Sequence, residues 1–179
     1  YSKTELFGSL SRSTAIRQVD LPLDTSDPVS RYMDYLGGIG LNSPFHGLIR
    51  ADVLRKSGLN RPFQGSDQCM IAALLLHGRF SMLPEALLYR RIEKETSSAT
   101  RTSRELRDFF GADGARVSHF RTWKVEGQLV KDVLGASLDL DTKARLLIYL
   151  TRRMFWNRRN FIRDIAAFLR GRGIRLTSH

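Results

Sequence analysis

The chain has 179 residues, 42% of them hydrophobic, with two Trp and ten Phe, which suffices for one domain with a sizeable core and excludes a disordered tail. It contains no run of about 18 uncharged apolar residues, and Tyr1 to Glu5 lack the basic-then-apolar layout of a signal peptide, so a soluble or membrane-peripheral, cytoplasmic protein is expected. The net charge of +11 is concentrated at one end: from Lys143 onward ten Lys/Arg stand against Asp164 alone, which accounts for +9 and directs the search for an anionic partner there.

Tyr1 to Phe7 reads as a strand entered partway through a fold, because no turn, cap or leader precedes it. Asp27-Pro28 opens a helix, with Ser26 or Asp27 as cap, Pro28 in the first turn and Val29, Tyr32, Met33 and Leu36 as the apolar face; Gly37-Gly38 ends it. Phe45 to Arg50 reads as a short strand, Ala51 to Lys56 as a helical turn closed by Gly58, and Arg61 to Ser66 as a loop. Asp67 to His77 predicts a buried helix ending at Gly78, and Cys69 within it is expected to act as a small core hydrophobe. A single cysteine permits no internal disulfide, which suits a reducing compartment.

Phe80 to Leu83 and Ala86 to Arg91, separated by Pro84-Glu85, read as two strands or one bent strand. A polar linker, Thr96 to Thr100, follows. Beyond it the pattern is helical: Ser103 to Phe110, Ser118 to Leu134, and Thr142 to about Leu169, with a break near Trp156-Asn157. A change of subdomain is therefore expected near residue 100, giving 1–100 and 101–179.

Between Leu41 and Ala99 a series of short pieces keeps a characteristic order: Phe45-His46-Gly47-Leu48-Ile49-Arg50, Gly65-Ser66-Asp67, Leu74 to Phe80, Leu83-Pro84-Glu85, Leu88-Tyr89-Arg90-Arg91 and Ser97-Ser98. In this order and spacing the stretch resembles the second half of the GT-A domain of family 2 glycosyltransferases. The fold class implied is α/β, a partial GT-A-like half-domain with a mainly helical carboxyl-terminal extension. The activity implied is inverting transfer of a sugar from a nucleotide-sugar donor to a hydroxyl acceptor on a glycan, polysaccharide or lipid-linked chain.

The same resemblance assigns roles. Asp67 matches the residue proposed as general base in that family. Inverting transfer displaces the nucleotide in one step, so the attacking hydroxyl must lose its proton as the new bond forms, and a positioned carboxylate accepts it. Read without the resemblance, Ser66 or Asp67 before an apolar run is an ordinary helix cap. His46, Gly47 and Ser66 would line the acceptor side, Gly47 allowing close approach of substrate to backbone. Arg50, Arg90 and Arg91 would face the donor diphosphate; Arg50 also fits an ion pair with Asp52, and of the two alternating strand arginines one should point inward.

A divalent cation, Mg or Mn, is expected for a complete enzyme of this kind. Many relatives carry a histidine two residues after the arginine pair; here Ile92 and Glu93 follow, and Glu93 is the weak metal candidate, with a solvated glutamate as its bland alternative. The family's Asp-X-Asp motif and its amino-terminal βαβ unit are not found. Asp139-Leu140-Asp141 has the form but precedes a helix, so capping is the reading there. The isolated chain should therefore bind donor poorly and turn over little.

Toward the end, Leu147, Leu150, Met154, Phe161, Ile165 and Phe168 form a stripe with Arg152, Arg153, Arg159, Arg163 and Arg170 mostly away from it. Such a helix either lies on an anionic membrane or packs its stripe on the body and leaves its arginines solvated. A non-enzymatic helical module binding nucleic acid through these arginines is the rival function, disfavoured because the charge is confined to one end and the aromatics interleave with the apolar face.

Overall fold

The computed structural model describes residues 1–7, 21, 23–40, 42–91 and 120–171, for 170 and 171 the backbone alone. It is an α/β fold, mostly helical, with a two-stranded parallel sheet among the described residues. The chain divides into two compact units, Tyr1–Leu59 with Met70–Thr102, and Asn60–Cys69 with Ser103–His179.

In the first unit, β1 (Ser2–Phe7) pairs in parallel with β2 (Leu83–Arg91), Thr4 opposite Leu88 and Phe7 opposite Arg91. The register slips twice, past Pro84-Glu85 and past Leu87, and Pro84 has no N–H for a ladder bond. One strand is formed, beginning at Leu83, and Phe80 to Met82, expected in a strand, precede it without strand structure. The next element in the chain, α1 (Pro28–Gly38), begins where Asp27 accepts hydrogen bonds from the backbone N–H groups of Val29 (3.2 Å) and Ser30 (3.0 Å).

Its buried residues are Val29, Arg31, Tyr32, Tyr35 and Leu36, whereas Met33, expected on that face, is exposed. Arg31 is buried because it replaces water for three carbonyls: Nε donates to Leu75 O (2.6 Å) and Nη1 to Thr25 O (3.2 Å) and Ser26 O (2.9 Å).

The strand expected over Phe45 to Arg50 is not formed. Pro44, with its fixed φ, sits at the start of a 3-10 turn, Ser43–His46, closed by Phe45 N–H to Asn42 O (3.0 Å) and Gly47 N–H to Pro44 O (3.1 Å). A buried hydrogen bond between the Thr4 and Ser43 hydroxyls, 2.8 Å, ties this turn to β1. The short helix α2 (Ala51–Lys56) follows, then α3 (Ser66–His77), in which every residue from Cys69 to Leu76 is buried. A helix apolar on all sides has no face to give to water, so this one lies in core.

The second unit packs α4 (Arg121–Gly135), α5 (Leu140–Trp156) and α6 (Arg158–Gly171). Val125, Leu129 and Val133 of α4, spaced four apart, are buried, as are Leu146 and Leu150 of α5 and Phe161 of α6. Trp123 meets Phe161 edge-on at 4.9 Å, and Asp164 Oδ2 accepts from Thr122 N–H (2.7 Å), capping the first turn of α4. Asp139 caps α5, accepting from Thr142 N–H at 2.8 Å, the role expected of it.

The break expected near Trp156-Asn157 separates α5 from α6. It changes the stripe drawn through both: Leu150 and Phe161 are buried, but Leu146 was missed, Ile165 is 40% exposed, and Arg153 turns inward to pair with Glu126. The helix expected over Ser103 to Phe110 lies outside the described residues. No helix among the described residues is long and apolar enough to cross a membrane.

Candidate functional site

The approach to α3 is set by a turn in which Ser66 N–H donates to Phe63 O (3.1 Å). Gly65, at φ +93°, stands next; a Cβ there would sit 3.0 Å from Val125 Cγ2, in a backbone conformation that only glycine adopts without strain. Gly65 O accepts from Cys69 N–H (3.3 Å), so the glycine holds the capping position and Asp67 is the second residue of the helix, not its cap. The ordinary-cap reading of Ser66 or Asp67 is thereby corrected. Asp67 is half-buried, while Ser66 is buried with its hydroxyl donating to the Asn60 side-chain carbonyl, so Ser66 is already engaged within the protein.

Cys69, one turn further in, is fully buried, and burial, with smaller contributions from Asp132, Asp67 and Glu126, pushes its thiol up to about 12. It is a core residue, as expected, and not a nucleophile at neutral pH.

In the first unit the candidate arginines fall into two places. Arg90 and Arg91 lie opposite Leu6 and Phe7, on the carboxyl-terminal side of the described parts of β2 and β1. Both are exposed, which corrects the expectation that one points inward; the Arg91 guanidinium lies 5.7 Å from the centre of the Phe7 ring. The outer face carries an apolar row, with Leu83, Leu87 and Tyr89 on β2 and Phe7 on β1 between 45% and 64% exposed.

Arg50 instead lines a cleft of about 450 Å³ with Tyr1, Leu48, Leu74, His77 and Arg79. Tyr1 adjoins the start of β1, and Arg90 and Arg91 lie some five residue steps along it, about 16 Å at roughly 3.3 Å per residue. Arg50 thus lines the cleft beside Tyr1, and Arg90 and Arg91 lie toward the other end of β1. The cleft has three basic side chains and no acidic one among its lining residues. Desolvation, then the Lys56 charge, lowers the His77 pKa. His77 and Arg79 were not singled out from sequence; a basic pair at a helix end is too common a signal.

His46 ends the 3-10 turn, exposed, its ring edge-on to Phe45 at 5.6 Å. At Gly47 a Cβ would lie 3.0 Å from Tyr1 Cβ and 3.2 Å from Pro44 O, so its missing side chain leaves room for Tyr1 and Pro44.

Glu93 lies outside the described residues. Among the described residues no group of three or more His, Cys, Asp or Glu side chains converges as a metal site.

No protein-family model, no curated protein and no solved structure matches the chain.

Proposed function

We propose that this chain is the acceptor-side part of an inverting, GT-A-like glycosyltransferase that moves a sugar from a nucleotide donor to a hydroxyl group on a glycan or lipid-linked acceptor. The observation that carries the reading is the adjacent pair Arg90 and Arg91 toward the carboxyl-terminal side of two parallel strands. Open parallel sheets bind ligands beyond the carboxyl ends of their strands, and two guanidinium groups there suit a leaving nucleoside diphosphate. The sheet supports it further: among the described residues it has two parallel strands with an exposed apolar row, a face that other strands or helices would cover.

In this reading Asp67, held in the first turn of α3 by the Gly65 turn, takes the proton of the incoming hydroxyl as the bond from the acceptor oxygen to the anomeric carbon forms and that from the anomeric carbon to the diphosphate breaks. The protein would work in the cytoplasm.

Substituting Arg90→Gln and Arg91→Gln in the enzyme of which this chain forms part tests the assignment. Inhibition by free nucleoside diphosphate should weaken by roughly tenfold or more for the double variant, the loss of one or two charge-assisted hydrogen bonds. Unchanged inhibition, with folding intact by circular dichroism, would remove the strand-end arginines from the donor site.

A further inference from the structure

The second unit turns an unusual surface to solvent where α5 meets α6. Ile148, Phe155, Trp156 and Ile162 are each between 61% and 65% exposed. Ile148, Arg152 and Phe155 follow at four and three residues and so share one face of α5, opposite the buried Leu146 and Leu150. Ile162 lies one turn beyond Arg158 on α6. The two faces join at the corner, where the Arg158 guanidinium stacks 4.6 Å from the Phe155 ring and donates to Phe155 O at 3.0 Å, while Arg152 stacks 5.1 Å from the Trp156 ring.

Arg159 and Arg163 are exposed on the same helix. From Lys143 to Gly171 the one acidic residue, Asp164, is turned to the Thr122 amide inside the unit.

We propose that this corner is a docking surface for an anionic lipid bilayer, an inference independent of the glycosyltransferase reading. Large apolar side chains kept in water by their own helix phase gain by entering an apolar medium, and the aromatic rings with their stacked guanidinium groups match the headgroup boundary, apolar below and cationic above. Arg152, Arg158, Arg159 and Arg163 supply the charge complement to anionic headgroups.

The same arginines suit a nucleic acid, but phosphates offer nothing to cover Ile148 and Ile162, and the bilayer does. The surface differs from the stripe read from sequence: Leu147, Leu150, Met154 and Phe161 point away from solvent or partly so, and the exposed set is the one on the other side of the helix.

The test uses the full chain carrying Trp123→Phe, which keeps a ring against Phe161 and leaves Trp156 as the sole tryptophan. Vesicles of phosphatidylcholine, with or without phosphatidylglycerol, are compared by flotation, by Trp156 emission and by quenching with brominated acyl chains, with duplex DNA as a parallel arm. The expected result is binding to phosphatidylglycerol vesicles alone, a blue shift and quenching of Trp156, and weaker binding in high salt.

Arg152→Gln with Arg158→Gln should weaken the vesicle affinity on the order of tenfold or more, and Phe155→Ser should reduce it separately. Absence of binding to phosphatidylglycerol vesicles, or retention on DNA with Trp156 neither shifted nor quenched by lipid, overturns the proposal. If a variant loses helicity, quenching of Trp156 in the parent decides the matter.

Discussion

Arg153 of α5 donates from Nε to Glu126 Oε1 of α4 at 3.0 Å, with the glutamate side chain only 3% exposed. Asn157, at the corner between α5 and α6, donates to the same carboxylate oxygen at 3.4 Å. One buried carboxylate thus holds both the last turn of α5 and the residue at which the helix breaks.

Removing that carboxylate by Glu126→Ala takes from a largely buried guanidinium its 3.0 Å carboxylate contact, and the loss should be about 3 kcal/mol of stability in chemical denaturation. A change below about 0.5 kcal/mol, the scale of an exposed pair, would show that water replaces the contact.

The same group makes stability depend on pH. Burial is the largest influence on Glu126 and raises its pKa above the ordinary value of 4.5; Arg153, by charge and hydrogen bond, and Asn157 offset this in part. A raised folded-state value means that the folded chain holds the proton more tightly than the unfolded one. The contribution is therefore fully present below 4.5 and is lost as pH rises through the folded value. Glu126→Gln lacks this dependence, so its stability relative to the parent should improve as pH rises through that window. A constant difference in denaturation midpoint would contradict the assignment.

Cys69 offers a chemical probe of the core. With its thiol pushed up to about 12 and no exposed surface, it should resist alkylation at neutral pH in native protein and react only as fast as the chain opens. Rapid labelling without denaturant would mean that the start of α3 is not packed as described. The sign for stability is that of a raised value: the contribution is present below the ordinary 9.0 and lost as pH climbs through about 12.

Gly65→Ala should cost about 1 kcal/mol or more, because the position demands φ +93° and the added methyl meets Val125. If Asp67 depends on this turn for its position, catalytic turnover should fall as well, by more than the loss of folded protein explains. A melting temperature equal to the parent's would show that the turn relaxes freely.

Local signals with their own chemistry were legible in the sequence. Asp27-Pro28 and Asp139 are caps because their carboxylates reach first-turn amides, and the apolar run of α3 is buried because it has no polar side. What failed depended on partners elsewhere in the chain. Arg31, not singled out from sequence, is buried by its hydrogen bonds to the carbonyls of Leu75, Thr25 and Ser26. Phe45 to Arg50 has strand composition, but Pro44 and Asn42 impose a 3-10 turn. The stripe across α5 and α6 was drawn as one helix, and the break at Asn157 resets its phase.

Candidate site residues were less legible still, because spacing along the chain does not report which end of β1 a residue adjoins. That is why Arg50 was grouped with Arg90 and Arg91 although it lines a cleft with Tyr1.

The most direct measurement is the turnover of Asp67→Asn in the enzyme that contains this chain, with donor and hydroxyl acceptor both saturating. Loss of the base should lower kcat by about 100-fold to 10,000-fold, with donor KM and helical content unchanged. A rate within a few-fold of the parent's would contradict the role of Asp67, and with it the claim that α3 presents the group that takes the proton.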